Sequence, residues 1–114
     1  MRRFYKRFTE CLLFALIVVG GTAQAFIGVT GTIASLLIVG SGSGAPGNYD
    51  LRVFLSGNVV VCNGQPWAYI NTTDANYNAI TAAAMTAKAT GGTVTLYVSQ
   101  DGAGYCQLAY IMIN

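Results

Sequence analysis

The chain has 114 residues, 54% of them hydrophobic and 9% charged, with a formal net charge of +2 and no histidine. That length allows one domain, and the low charge with abundant Val, Ile, Leu, Tyr and Ala marks a globular composition, not a disordered one. The absence of histidine removes the commonest general base and the commonest zinc ligand together.

Residues 1–25 read as a secretory signal peptide. Arg2, Arg3, Lys6 and Arg7 form a basic start, residues 11–19 are an unbroken apolar run, and Ala23-Gln24-Ala25 places small residues where a signal peptidase reads them. The expected product is residues 26–114, a single exported β-rich domain, secreted or periplasmic by bacterial export. An alternative leaves residues 11–40 uncleaved as a membrane anchor, in an envelope-associated structural protein; Gly20, Gly21, Thr22 and Gln24 interrupt that run. Cleavage removes four cations and Glu10. It leaves Arg52 and Lys88 against Asp50, Asp74 and Asp101, a net charge of −1. Two isolated cations cannot make the phosphate-neutralising patch of a nucleic-acid binder, nor hold an anionic membrane surface. So charge-poor a surface favours a homo-oligomer or a partner-covered face.

Past the leader, residues 32–39 read as a strand ended by Gly40, and residues 41–48 as a Gly/Ser loop. Within that loop Gly42, Gly44 and Gly47 fit G-x-G-x-x-G, but the dinucleotide motif requires a helix next. The next residues alternate instead: Leu51, Val53 and Leu55 on one face, Arg52 and Phe54 on the other, which predicts a half-buried strand over residues 49–55. After Ser56-Gly57-Asn58, residues 59–62 read as a short β-branched strand. Asn63-Gly64 then signals a hairpin, with residues 67–70 as its return strand.

The period changes at Asn71-Thr72-Thr73-Asp74, whose side-chain oxygens are expected to cap a helix over residues 74–90. Ala83, Ala84 and Ala87 fall on one stripe of it with Ile80, and Gly91-Gly92 is the expected stop. Residues 93–99 alternate again, residues 100–104 form a loop, and residues 105–113 make the last strand. The predicted fold is α+β, mainly β with one helix, in the order β-β-β-β-α-β-β: a small OB-like barrel or a curled antiparallel sheet.

Of three cysteines, Cys11 lies in the leader, so Cys62 and Cys106 remain as an even pair in an oxidising compartment, the setting of a structural disulfide. No Cys-x-x-Cys motif is present. The aspartates are scattered and a serine nucleophile would lack a base, so the expected protein is not an enzyme. The same sparsity predicts no metal site and no cofactor. The aromatics point to binding. Trp67 and Tyr69 share one face of a strand, with Tyr97 and Tyr110 expected nearby. Rings with an apolar body and a wet rim suit a glycan or a protein surface. The candidate ligand-binding residues are Trp67, Tyr69, Asn71, Thr72 and Thr73; the last three also form an N-glycosylation sequon.

From Asp74 to Asn114 the pattern is a helix with a Gly91-Gly92 exit, a strand Thr93-Val94-Thr95-Leu96-Tyr97-Val98, a loop, and a closing strand Cys106-Gln107-Leu108-Ala109-Tyr110-Ile111. This half resembles the receptor-binding B subunits of AB5-type bacterial toxins and small exported bacterial domains of unknown function with the same layout. The resemblance implies a five- or six-strand barrel with one helix, a disulfide, ring assembly and glycan recognition on the barrel surface. Two features depart from it. Cys62 and Cys106 do not follow the early-strand to late-strand pairing of enterotoxin B subunits, and the helix carries far less charge.

Overall fold

The computed structural model describes residues 26–40 and 49–114. The expected leader with Cys11 and the Gly/Ser loop at 41–48 lie outside these residues. In chain order the elements are β1 (Ile27–Ile38), β2 (Leu51–Leu55), β3 (Trp67–Ile70), α1 (Tyr77–Thr90), β4 (Thr93–Gln100) and β5 (Cys106–Ile113), with a 3-10 turn at Ser56–Asn58. The protein is mainly β with one helix, and its five strands form a closed ring in the order β1-β2-β3-β5-β4. Among the described residues no helix is long and apolar enough to cross a membrane.

Alternation decides what fills the ring. Leu51, Val53, Val94, Leu96 and Val98 have no exposed surface, while their chain neighbours Arg52, Thr95 and Tyr97 face outward. Ile33, Leu55, Ala68, Ile70 and Leu108 join them in the core, together with Val61 and the Cys62 and Cys106 side chains. α1 adds Ala84 and Ala87, fully buried, with Ile80 and Tyr77 partly so. Small residues at that contact let the helix lie close to the strands. Met85, the other large aliphatic of the helix, is 52% exposed and takes no part.

Four details differ from the sequence-based expectation. First, β1 starts at Ile27, not at residue 32, because residues 27–32 pair with β4 while residues 33–38 pair with β2. A register slip between Ile33 and Ser35 lets one strand serve both neighbours. Second, residues 59–62 are not a strand. Gly57 (φ 80°) and Asn58 (φ 54°) turn the chain away from β2, and of the expected hairpin only the Cys62–Gln65 bridge forms, around Asn63 and Gly64, both at positive φ. β3 pairs instead with β2, whose five-residue alternating face is the longer partner.

Third, the helix begins at Tyr77. Asp74 does not cap it: its Oδ2 accepts the Asn71 N–H at 2.9 Å, and Asn76, at φ 64°, interrupts helical geometry just before the first turn. The exit is as expected, with Gly91 left-handed at φ 70° and its N–H donating to the Ala87 carbonyl. Fourth, the sheet is not wholly antiparallel. β3 and β5 run parallel, meeting at Tyr69 and Gln107, because α1 and β4 intervene as a crossover connection.

Cys62 and Cys106 form the expected disulfide, with Cα atoms 5.9 Å apart across 44 residues of sequence. In the chain-entropy picture, closing a loop of that length stabilises by about 4 kcal/mol. Such a bridge fits an oxidising, non-cytoplasmic compartment.

Candidate functional site

On the outward side of β2 and β3 four rings, Tyr49, Trp67, Tyr69 and Tyr105, stand in mutual contact. Register pairs Arg52 with Tyr69 and Phe54 with Trp67, so these side chains share one face. Tyr49, just before β2, and Tyr105, just before β5, close over that face from two loops. Tyr105 stacks on Trp67 at 5.3 Å between centroids and 24° between planes. Tyr49 sits at the centre, edge-on to Tyr69 at 4.5 Å, to Tyr105 at 5.1 Å and to Trp67 at 6.0 Å. Such edge-to-face and offset contacts add about 0.5–1.5 kcal/mol per pair beyond area burial. Tyr49, Trp67 and Tyr105 stay half-buried, so part of each ring faces solvent, whereas Tyr69 is 4% exposed.

The backbone of Tyr49 is strained. Its φ is 59°, a left-handed conformation that an aromatic residue adopts rarely. Two side chains hold it there. Its N–H donates to Asn71 Oδ1 at 2.7 Å, and its carbonyl accepts the Arg52 Nε–H at 3.3 Å. The Arg52 guanidinium lies 5.1 Å from the Trp67 ring centroid and 5.9 Å from that of Tyr49, within cation–π range.

Asp101 fixes the other rim. Its Oδ2 accepts the Tyr69 hydroxyl at 2.5 Å, and its Oδ1 accepts the backbone N–H groups of Ala103 and Tyr105 at 2.9 and 2.8 Å. Burial works against the charge on Asp101, but the hydrogen bonds from Tyr69 and from the Tyr105, Ala103 and Gly104 backbone outweigh it and hold the carboxyl below its ordinary pKa. The Tyr69 phenol is pushed far above its usual range, by burial first and then by its bond to the Asp101 carboxylate. Burial also raises Tyr49, with the charge of Asp101 adding to it. The loop depends on Gly104, at φ 92°, where a Cβ would sit 3.0 Å from Asn63 Nδ2.

Of the sequence-predicted site residues, Trp67 and Tyr69 lie on this face. Asn71 and Thr72 frame it. Asn71 Oδ1 also accepts the Asp50 N–H at 3.3 Å, while the Thr72 N–H and hydroxyl both donate to Asp50 Oδ2 at 2.7 and 2.9 Å. Asp74 completes the frame by accepting from Gln107 Nε2 at 3.2 Å, so the start of β2, the end of β3 and the start of β5 are tied together. Thr73 is exposed. Tyr97 and Tyr110 do not join Trp67. They group with Phe26 on the outer side of β1, β4 and β5, with centroids 6.2 Å apart for Tyr97–Tyr110 and 5.3 Å for Phe26–Tyr110. Gly28 permits this, because Tyr97 Cε1 lies 2.9 Å from where its Cβ would be.

Sequence patterning alone does not single out Tyr49, Arg52, Asp101 and Tyr105. One signal points to two of them: Tyr49 ends the glycine-rich loop and Tyr105 precedes a disulfide cysteine, so both are anchored loop aromatics. Among the described residues no three His, Cys, Asp or Glu side chains group as a metal site, and no buried side-chain nitrogen or oxygen lacks a hydrogen-bond partner. The half-buried rings of Tyr49, Trp67 and Tyr105 make the site an open aromatic face. Compared with known protein families, characterised proteins and solved structures, the chain matches none of them.

Proposed function

We propose that the protein is an exported, non-enzymatic binding module whose β2–β3 face recognises a glycan. The observation that carries this reading is Tyr49. A bulky ring held at positive φ costs of the order of 1–3 kcal/mol; such strain persists only where the surroundings enforce it, and it clusters at active sites and ligand clamps. Here Asn71 and Arg52 enforce it, and the result is a half-exposed cluster of rings with a polar rim.

The position of the face supports the reading. In small five-stranded OB-like barrels the second and third strands, with the loops before the second and before the fifth, are the surface that takes oligonucleotides or oligosaccharides. Tyr49 and Tyr105 come from those two loops. Nucleic acid is the weaker choice, because beyond residue 25 the chain has only Arg52 and Lys88 to neutralise phosphates. Sugars need no such charge: their C–H faces lie on aromatic rings and their hydroxyls find the polar rim. Export by the N-terminal segment, to the periplasm or the medium, belongs to the same proposal and is supported by the disulfide.

A glycan array tests it. The protein is expected to bind a defined set of sugars, and Trp67→Ala is expected to weaken that binding at least tenfold while the far-ultraviolet dichroism and the disulfide stay intact. An array without binding, or one on which Trp67→Ala performs as the parent does, overturns the proposal.

A further inference from the structure

Asn63 and Gly64 turn the chain between Cys62 and Gln65, both exposed and both at positive φ, 47° and 73°. The Asn63 side chain also reaches across the molecule: its Nδ2 donates to the Gly104 carbonyl at 2.8 Å. Position makes that bond a clip. Asn63 shares the segment that leads into Trp67, and Gly104 immediately precedes Tyr105; Trp67 and Tyr105 are the stacked pair, 5.3 Å between centroids. One side-chain amide thus joins the strand side of the stack to its loop side.

The same amide is chemically exposed. An asparagine Cγ can close a five-membered ring with the backbone nitrogen of the next residue, and a side chain on that residue is what hinders the approach. Gly64 has none, and the space its Cβ would fill holds no atom within 4 Å. Its N–H donates to no acceptor among the described residues, so no hydrogen bond ties up the nitrogen. Every other described asparagine that has a successor precedes a residue with a side chain. Asp101 also precedes a glycine, but both its carboxylate oxygens accept hydrogen bonds and an anion is a poor electrophile.

We propose that Asn63 is a site of spontaneous deamidation, and that its conversion loosens Tyr105 from Trp67. The Gly64 nitrogen attacks Asn63 Cγ. A carbon–nitrogen bond forms, the bond from Cγ to Nδ2 breaks, and Nδ2 leaves as ammonia with the Gly64 proton. Solvent water then opens the cyclic imide at one carbonyl or the other, giving aspartate or isoaspartate. Either product is an ionised carboxylate that only accepts, so the Gly104 carbonyl faces a second acceptor where a donor had been. Isoaspartate in addition lengthens the main chain by one carbon beside the Cys62–Gln65 bridge. The stack belongs to the candidate site, yet neither the reaction nor its readout depends on what that site binds.

The test ages the full, oxidised chain at mildly alkaline pH and maps its peptides by mass spectrometry. The mass gain of an amide-to-acid exchange is expected at Asn63 at least tenfold faster than at any other asparagine, with part of the product methylated by an isoaspartyl methyltransferase. Trp67 is the chain's one tryptophan, so its fluorescence reports the stack. Emission is expected to shift to longer wavelength in step with the modified fraction, while far-ultraviolet dichroism holds. Asn63→Asp is expected to show the shifted emission when fresh; the aged parent decides alone should that variant not fold. A first mass gain at another asparagine, or none at Asn63, overturns the proposal. So does a modified parent whose tryptophan emits as it did before ageing.

Discussion

Tyr69 and Asp101 show how single residues set the geometry of the aromatic face. The phenol is buried and the carboxylate half-exposed, joined at 2.5 Å, and the same carboxylate turns the loop that carries Tyr105. Because the folded state lowers the Asp101 pKa, the group contributes stability above its unfolded value near pH 4. That contribution is lost as pH falls through the lower, folded pKa. The urea midpoint is therefore expected to fall more steeply between pH 5 and pH 2 in the parent than in Asp101→Asn. Tyr69→Phe removes the main hydrogen bond and is expected to cost about 1–3 kcal/mol at neutral pH, measured by the same unfolding curves. The residue scale is also where the sequence is hardest to read. Trp67 and Tyr69 stand out as two rings on one strand face. Arg52 looks like a solvated charge and Asp101 like a turn residue, because their roles come from partners far along the chain, Trp67 for one and Tyr69 for the other.

Elements are legible where one local rule acts alone. Strict alternation marks β2 and β4, and the absence of Gly and Pro up to Gly91 marks α1. Gly91→Ala would force a Cβ into the left-handed region at φ 70°, at a cost of about 1 kcal/mol, with thermal unfolding as the readout. Legibility fails where two rules compete. Val59, Val60 and Val61 have strand propensity and Asn63-Gly64 has hairpin propensity, yet β3 finds a better partner in β2, and the turn at Gly57 and Asn58 carries the valines out of register. The helix start fails for the same reason. Asn71, Thr72 and Asp74 are cap-forming residues, but their side chains serve contacts to Tyr49, Asp50 and Gln107, which have no local signature.

At the scale of the whole molecule, the mainly β class and the single helix follow from pattern, while closure of the ring depends on one strand being long enough for two neighbours. β1 supplies that length, pairing with β4 through residues 27–32 and with β2 through residues 33–38. The disulfide has a further result. Cys62 and Cys106 bracket β3, α1, β4 and the exposed tip at Gly102 and Ala103. A protease that severs the chain anywhere inside that bracket leaves two polypeptides in one covalent particle. Limited digestion is expected to yield a single band of unchanged size without reductant and two shorter bands with it, so damage at the tip would stay invisible until a thiol is added.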